Sequence, residues 1–269
     1  MLGSSRESLI ALQELVSSRS ADAQFAAAAS DLLKVSALLA SDKSLRTAMV
    51  DSGTSIADRE RLVRDVFSSQ VGALALEFVI AASSSRWSSE DDLVEAIEIT
   101  GAQVVFASAD AQGAIDRVED EIFMFGRAVD ANPELQMTLT NPALSGAAKS
   151  AVVSDVLADR AAAGTALLLI HTAANLRGRR VDTALTALSD IAAAQRNRVV
   201  AHVRVAQPLT DDQSTRLAAA LGRLAGRSVS LNVVIDPSVL GGVSVRLGGD
   251  VIDGSISNRL EQARRSLVG

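Results

Sequence analysis

Five glycines lie within the twenty residues DPSVLGGVSVRLGGDVIDGS, positions 236–255. Closely spaced glycines can bind phosphate, because their backbone N–H groups approach an anion without hindrance from a side chain. A P-loop also needs Gly-Lys-Ser/Thr, and a dinucleotide site needs G-x-G-x-x-G leading into a helix. Here Gly241, Gly242, Gly248 and Gly249 lead into strand-like sequence, and no Lys follows them. These glycines therefore predict tight turns rather than a nucleotide site.

The two histidines lack the sequence context that catalysis requires. His202 lies beside Arg204 in an alternating segment, which is typical of a solvated position on a strand. His171 follows Ile170 at a predicted helix end, which is typical of a packed or capping residue. The chain has no Cys, which excludes disulfides, thiolate metal sites and a Cys nucleophile. We therefore expect no catalytic residue.

Two acidic runs have the composition of metal ligands but not the spacing. In SSEDDLVEAIE, residues 88–98, Ser and three acidic residues form a favourable helix N-terminus. In RVEDE, residues 117–121, the charges alternate with apolar residues, as on a solvated helix face. An EF-hand needs an alternating acidic loop with a central Gly, which neither run has. We therefore expect no metal and no cofactor.

Charge is distributed unevenly along the chain, although its net value is −6. Residues 196–269 carry ten Arg, no Lys and six acidic residues, whereas the preceding part is acidic overall. Arg pairs with carboxylates through its forked guanidinium. The segment has no Phe, Tyr or Trp to stack on bases. It therefore favours a partner with acidic side chains over nucleic acid.

No segment predicts a signal peptide or direct membrane insertion. The N-terminus MLGSSRESLIALQELVSS has no basic region before its apolar residues. The longest apolar run, AAAGTALLLI at 161–170, is about half of the roughly 20 residues that a bilayer span needs.

The first 195 residues are predicted to form about a dozen short helices. Ala and Leu are abundant, Pro occurs only at 133 and 142 in this region, and apolar residues recur every three or four positions. Helix breaks are expected at SDKS, DSGTS, SSSRWSS, ANPE, TNPALSG and NLRGRR.

These breaks recur at a fixed distance, which predicts an internal duplication. LRTAMVDSGTSIADRERLVRDVF from Leu45 aligns with LQMTLTNPALSGAAKSAVVSDVL from Leu135, at an offset of 90 residues. After one inserted residue, LEFVIAASSSRW from Leu76 aligns with LLLIHTAANLRG from Leu167. The matched caps and loops favour a duplicated helical bundle over chance similarity between Ala-rich helices.

The pattern changes to alternation after Val199, which predicts strands. VVAHVRVA and SVSLNVVI are separated by the helix TDDQSTRLAAALGRLAG, with a capping box of Thr210 and Gln213. GVSVRL and DVID then form a hairpin across Gly248 and Gly249, and a last helix begins at Ser255.

We therefore predict an α+β chain: two tandem all-α helical bundles followed by a small C-terminal β-α-β-β-α domain. The predicted boundaries are 1–104 for an extra N-terminal bundle, 105–197 for the second bundle and 198–269 for the C-terminal domain.

Three helices are apolar on all sides, which a single buried stripe does not require. They are 73–82, the helix that contains Val104, Val105, Phe106 and Ala109, and the helix that contains Leu167–Ile170. Such a helix is either central in its bundle or contacts something outside it. Two of them side by side would form a groove for an amphipathic partner helix. Both interpretations stay open.

These features resemble the delta subunit of F-type ATP synthases, called oligomycin-sensitivity-conferring protein in mitochondria. DPSVLGGVSVRLGGDVIDGSISNRL and VVAHVRVAQPLTDDQSTRLAAAL are similar to the family's C-terminal domain. QGAIDRVEDEIFMFGRAVDANPELQMTLTNPALSGAAKSAVV is similar to the start of its helical bundle. The resemblance covers about residues 102–269. The first hundred residues are similar to the extra bundle of long actinobacterial forms.

The resemblance implies a non-catalytic peripheral-stalk (stator) subunit of the proton-translocating ATP synthase. It would link the alpha/beta catalytic head to the b-type stalk subunits and resist rotor torque, with one copy per complex, peripheral on the cytoplasmic face of the cell membrane. The family binds an N-terminal helix of the alpha subunit between the first and fifth helices of its bundle. That implies Val105, Ala109, Leu168 and Thr172 as partner-groove residues, and b subunits as partners of the C-terminal domain.

Two other classes remain open at the level of sequence. One is a free-standing helical adaptor whose Arg-rich segment binds acidic partners or nucleic acid. The other is an enzyme that uses the Gly-rich segment to bind a nucleotide.

Overall fold

The computed structural model describes residues 3–20, 22–158, 160–196, 198–226, 228–236, 239, 242–247 and 250–253. Contacts divide the chain into two compact units. One comprises Met1–Val16 and Ser20–Gln195, and the other comprises Ser17–Arg19 and Arg196–Gly269. Helices precede a sheet along the chain, so the α+β class is confirmed.

Eleven helices precede the sheet in the described residues. In chain order they are α1 (Ser4–Ser18), α2 (Phe25–Ser41), α3 (Lys43–Val50), α4 (Ile56–Phe67), α5 (Ala73–Ser84), α6 (Glu90–Ala111), α7 (Ile115–Ala131), α8 (Pro133–Thr140), α9 (Gly146–Leu157), α10 (Ala163–Ala174) and α11 (Val181–Arg196).

Side-chain caps explain where five of these helices begin. Asp42, Ser55, Ser89, Asn132 and Ser145 each precede a helix and accept a hydrogen bond from a backbone N–H two or three residues further on. These bonds satisfy N–H groups that have no partner within the helix. All five caps lie in predicted breaks, so those breaks are confirmed.

Helix α6 is the central element of the helical unit. Every residue from Thr100 to Phe106 is buried, which covers all sides of the helix. It packs along α2, where Gly101 permits a close approach. A Cβ atom at Gly101 would lie 2.9 Å from Cδ2 of Leu33. One hydrophobic core includes residues from Leu12 on α1 to Ala192 on α11.

The boundary predicted between residues 104 and 105 lies inside α6. Because α6 is continuous and the core extends to both sides of it, the two helical segments do not have separate cores. The second predicted boundary, between residues 197 and 198, lies next to Arg196, where the second unit begins.

The second unit contains a four-stranded sheet and one described helix. Its elements are β1 (Arg198–Val205), α12 (Asp211–Ala225), β2 (Ser228–Ile235), β3 (Val243–Leu247) and β4 (Asp250–Asp253). The strand order is β2-β1-β3-β4, with β1 parallel to β2 and antiparallel to β3, and β4 antiparallel to β3. The predicted β-α-β-β order is therefore confirmed.

Sequence signals for α12 are also found in the structure. Thr210 and Gln213 form the predicted capping box, and Gly226 ends the helix with φ of 64°. The alternating residues Ala201, Val203 and Val205 of β1 are buried in the core of this unit. The predicted turn at Gly248 and Gly249, and the last helix from Ser255, lie outside the described residues.

Candidate partner-binding surfaces of the helical unit

The four predicted groove residues lie on two helices in contact: Val105 and Ala109 on α6, Leu168 and Thr172 on α10. Their exposed fractions are 5, 8, 1 and 5%. Gly164 lets α10 approach α6 closely, because a Cβ atom there would lie 2.8 Å from Cγ1 of Val105. We call this contact the α6–α10 seam. The structure thus brings the predicted helices together, with the four side chains buried.

Helix α10 has apolar side chains of two kinds. Leu168 and Leu169 are buried in the core, whereas Leu167 and Ile170 pack against the core but stay partly exposed. The all-round apolar character of this helix therefore leaves apolar surface at the margin of the core, where a partner can reach it.

A carboxylate on α6 is paired with the turn that follows α10. Glu98 forms salt bridges with Arg177 and with Arg179, and the second pair is 2.8 Å apart. Arg177 adopts a left-handed backbone conformation with φ of 49°, which is uncommon for a residue other than Gly. These pairs hold the C-terminal end of α10 close to α6.

His171 is a packed residue, as predicted. Its Nε2 atom is 3.3 Å from the hydroxyl of Ser36 on α2, and its Nδ1 atom is 3.4 Å from the side-chain amide of Asn175. Burial lowers the pKa of His171 to about 4, with Glu98 opposing the shift and Arg177 and Arg179 adding to it. The imidazole is therefore neutral near pH 7.

Glu121 binds the N-terminal end of α10, which corrects its predicted place on a solvated face. Its carboxylate accepts hydrogen bonds from the backbone N–H of Ala162 and the hydroxyl of Thr165, and it pairs with Arg117 at 2.8 Å. Burial opposes ionisation, but these bonds hold the pKa of Glu121 below its usual value. A carboxylate here also complements the helix dipole of α10.

The structure reveals a second surface, an open groove of about 180 Å³ between α7 and α11. Apolar residues line it, including Ile122, Val129 and Leu185. At Gly126, α7 lies close to α11, since a Cβ atom there would lie in van der Waals contact with Cδ1 of Leu185, at 3.4 Å. Phe123 also lines it and is 65% exposed. We call this the α7–α11 groove.

A run of apolar residues in α7 could have indicated this surface from the sequence. Residues 122–125 read Ile-Phe-Met-Phe, four large apolar residues in succession. A helix with one buried face uses only Ile122 and Phe125, which are indeed buried. Met124 is 69% exposed, like its neighbour Phe123. The excess of apolar residues over what the core needs is typical of a binding surface.

The acidic run at the start of α6 takes part in local hydrogen bonding. Asp92 accepts a hydrogen bond from the Ser5 hydroxyl, and Glu90 accepts one from Thr47, both at 2.7 Å. Across the described part of the chain, no group of three or more His, Asp or Glu side chains is arranged to hold a metal ion. None of the described helices has the length and apolarity to cross a bilayer.

Comparison with known proteins identifies the family. Residues 97–267 match the model of the ATP synthase delta (OSCP) subunit. The chain is 41% identical to ATP synthase subunit delta of Streptomyces avermitilis over 270 residues, which cover 99% of this chain and 98% of the relative. It is 40% identical to that of Streptomyces coelicolor, with 100% and 98% covered. For Kineococcus radiotolerans the identity is 38%, with 99% and 98% covered. The chain therefore belongs to the ATP synthase delta (OSCP) subunit family.

Proposed function

We propose that the chain is a stator subunit that joins the alpha/beta catalytic head of an F-type ATP synthase to the peripheral stalk. The observation that carries this proposal is similarity over the whole chain to proteins named ATP synthase subunit delta. The family is a non-catalytic part of the complex. The chain acts at the membrane as a peripheral subunit, on the cytoplasmic face.

Reconstitution tests this function. Membranes that carry the ATP synthase are stripped of their delta subunit, and the purified chain is added back. Proton-driven ATP synthesis is expected to return in proportion to the chain bound, whereas the chain alone hydrolyses no ATP. If synthesis stays uncoupled although the chain is bound, the stator role is wrong.

The α6–α10 seam is the proposed site for the N-terminal helix of an alpha subunit. Val105, Ala109, Leu168 and Thr172 lie beneath the site and are buried. A helix reaches them only when α6 and α10 move apart, so first contact falls on partly exposed apolar residues such as Leu167 of α10. Apolar anchors of this kind are what helix-in-groove binding uses.

A pair of substitutions tests the seam. Leu167→Ser removes an apolar side chain from α10, and Val156→Ser removes one of 40% exposure from α9. A synthetic peptide with the N-terminal sequence of the alpha subunit should bind the first variant about tenfold more weakly and the second as tightly as the unchanged chain. Equal binding to both would place the peptide elsewhere.

The second unit is the proposed contact for the b-type stalk subunits. Arg204, Arg216, Arg223 and Arg246 are exposed on its described elements. Arg204 pairs with Asp236 and Arg216 with Asp212 within the unit. Arg223 and Arg246 are proposed to pair with carboxylates of a partner helix through their exposed guanidinium groups.

We also propose that the helical unit is a duplication whose two copies share α6. Four helix pairs support it, because the members of each pair have equal length and begin 90 residues apart: α2 and α7, α3 and α8, α4 and α9, α5 and α10. Moved by 90 residues, α1 falls inside α6. Helix α6 is thus the last helix of the first copy and the first helix of the second.

The burial of matched residues also supports the duplication. It places the inserted residue later in the chain than the sequence alignment predicted. At an offset of 90, Phe78 and Val79 of α5 match Leu168 and Leu169 of α10, and all four are buried. At an offset of 91, Val79 would match the partly exposed Ile170. The inserted residue therefore belongs after α10, where α11 begins 91 residues after α6.

The first copy is proposed to add contact area to the joint, to the stalk or to a second alpha N-terminus. Removing residues 1–100 would not test this cleanly, because Phe106 and other buried residues of α6 would lose their cover. Ile56→Ser on α4 is a better variant, since Ile56 is 53% exposed. Weaker reconstitution with a folded Ile56→Ser chain would support the role, and unchanged reconstitution would contradict a contact there.

A further inference from the structure

Other helices bury one face of α2, whereas the corresponding face of α7 is exposed to solvent. Under the offset of 90, Leu33 on α2 corresponds to Phe123 on α7, and Ser36 corresponds to Gly126. Leu33 and Ser36 are each 2% exposed, whereas Phe123 is 65% exposed. The second copy therefore exposes to solvent a larger apolar side chain at a position that the first copy buries.

Helices cover this face in the first copy. Leu33 packs against Gly101 of α6, and the hydroxyl of Ser36 is 3.3 Å from Nε2 of His171 on α10. Helix α10 belongs to the second copy, so a helix from outside the first copy completes its surface. In repeat proteins each unit buries such a face against its neighbour. The corresponding face of α7 faces the α7–α11 groove, which is open.

The directions of α7 and α11 determine which residues lie at each end of the groove. Gly126 of α7 lies against Leu185 of α11, and the carboxylate of Asp130 interacts electrostatically with Arg180, just before α11. Since the residue number rises along α7 while it falls along α11, the two helices run antiparallel. Phe123 consequently lies towards Ser189 of α11, at the opposite end from Asp130.

Exposed carboxylates flank Phe123 at this end. Asp120 precedes it by one turn of α7, and Asp190 follows Ser189. Burial, and after it the charge of Asp120, raises the pKa of Glu119 in the same turn. Arg127 lines the groove one turn beyond Phe123, and Asp182 is paired with Arg180 at 2.9 Å. With Arg127 counted, Asp120 and Asp190 still leave net negative charge next to Phe123.

We propose that the α7–α11 groove binds an amphipathic helix of a partner protein, with basic residues placed over Asp120 and Asp190. The lining from Ile122 to Asp130 is about 12 Å long at 1.5 Å per residue, which accommodates roughly two helical turns. Phe123, which lines the groove and is largely exposed, is the anchor of the interaction. The proposal uses the duplication for comparison, and it does not depend on the alpha-subunit helix at the α6–α10 seam.

Binding of a designed peptide tests this site. The probe is a 20-residue Leu/Ala helix with Lys along both edges of its apolar face, and its twin carries Glu in place of Lys. Fluorescence anisotropy with the full chain should give tighter binding of the Lys peptide. Phe123→Ser should weaken it about tenfold or more. Met137→Ser, at a side chain of 73% exposure on α8, should leave it unchanged.

Charge and oligomeric state separate the remaining outcomes. The double variant Asp120→Lys, Asp190→Lys should prefer the Glu peptide, and Leu167→Ser at the seam should bind the Lys peptide normally. The proposal is overturned if Phe123→Ser binds the probe as tightly as the unchanged chain, or if the two peptides bind equally. It is also overturned if sedimentation shows a dimer that Phe123→Ser dissociates, because the occupant is then a second copy of the chain.

Discussion

Glu98 and Arg179 lie 2.8 Å apart and join α6 to the turn that follows α10. Arg177 pairs with the same carboxylate. The three side chains are 14 to 28% exposed, so water screens their attraction only in part. The contact between α6 and the turn that follows α10 therefore includes one carboxylate shared by two guanidinium groups.

Glu98→Gln should destabilise the helical unit by about 1–3 kcal/mol, because it leaves two partly buried Arg side chains without their counter-charge. Urea unfolding measured by circular dichroism gives the change. Lys34→Gln is the matched control, since Lys34 is 70% exposed in its pair with Asp31, and we expect a loss of about 0.5 kcal/mol or less. A similar loss of unfolding free energy in both variants would mean that the Glu98 salt bridges contribute no more to stability than an exposed pair does.

His171 should make stability depend on pH below neutrality. Its pKa falls from 6.5 to about 4 on folding, so the unfolded chain binds the proton more readily between these values. Its contribution is complete above pH 6.5 and is lost progressively as the pH falls to 4, up to about 3 kcal/mol. His171→Gln should flatten the profile of unfolding free energy in that window. Parallel profiles for the two chains would contradict the buried neutral imidazole.

Substitution by Ala should affect stability differently at two helical glycines. Gly101→Ala places a methyl group 2.9 Å from Leu33, and we expect a loss of about 1–3 kcal/mol from overpacking. Gly126→Ala meets Leu185 only at 3.4 Å, and better helix propensity should leave it neutral or stabilised by up to about 1 kcal/mol. Thermal and urea unfolding of both variants decide the matter. Equal stability of the two would remove the argument for a close α2–α6 contact.

Substitutions of two neighbouring carboxylates on α7 should differ in their effect on stability. Glu121→Gln weakens the hydrogen bonds to the first turn of α10 and should cost about 1–2 kcal/mol at pH 7. Asp120→Asn, at an exposed position, should change stability by less than about 0.5 kcal/mol. Because the pKa of Glu121 lies below its usual value, the difference between the variants should persist in mild acid and shrink only as the pH falls through that lowered pKa. A difference that persists after Glu121 is fully protonated would mean that its charge is not the cause.

Local signals predicted the elements well because they act over a few residues. Asp42, Ser55 and Ser145 are caps whose side chains bond to the next turn, so their positions in the sequence mark helix starts directly. The continuity of α6 across residues 104 and 105 could not be predicted in this way, because it depends on packing on all sides of the helix rather than on a break in its sequence.

Side-chain exposure was the part that sequence did not predict. Four large apolar residues from Ile122 to Phe125 look alike in a pattern, yet two are buried and two are exposed. Val105 and Leu168 are buried in the structure, and their contact with a partner helix stays a prediction. Whether an apolar residue faces the core or a partner depends on which helix lies opposite it, and that is a property of the tertiary fold.

Binding of the full chain to the isolated alpha/beta catalytic head tests the proposed stator role most directly. We expect tight binding of one chain per head, and loss of that binding when the N-terminal segments of the alpha subunits are removed. Unchanged affinity for the trimmed head would contradict it.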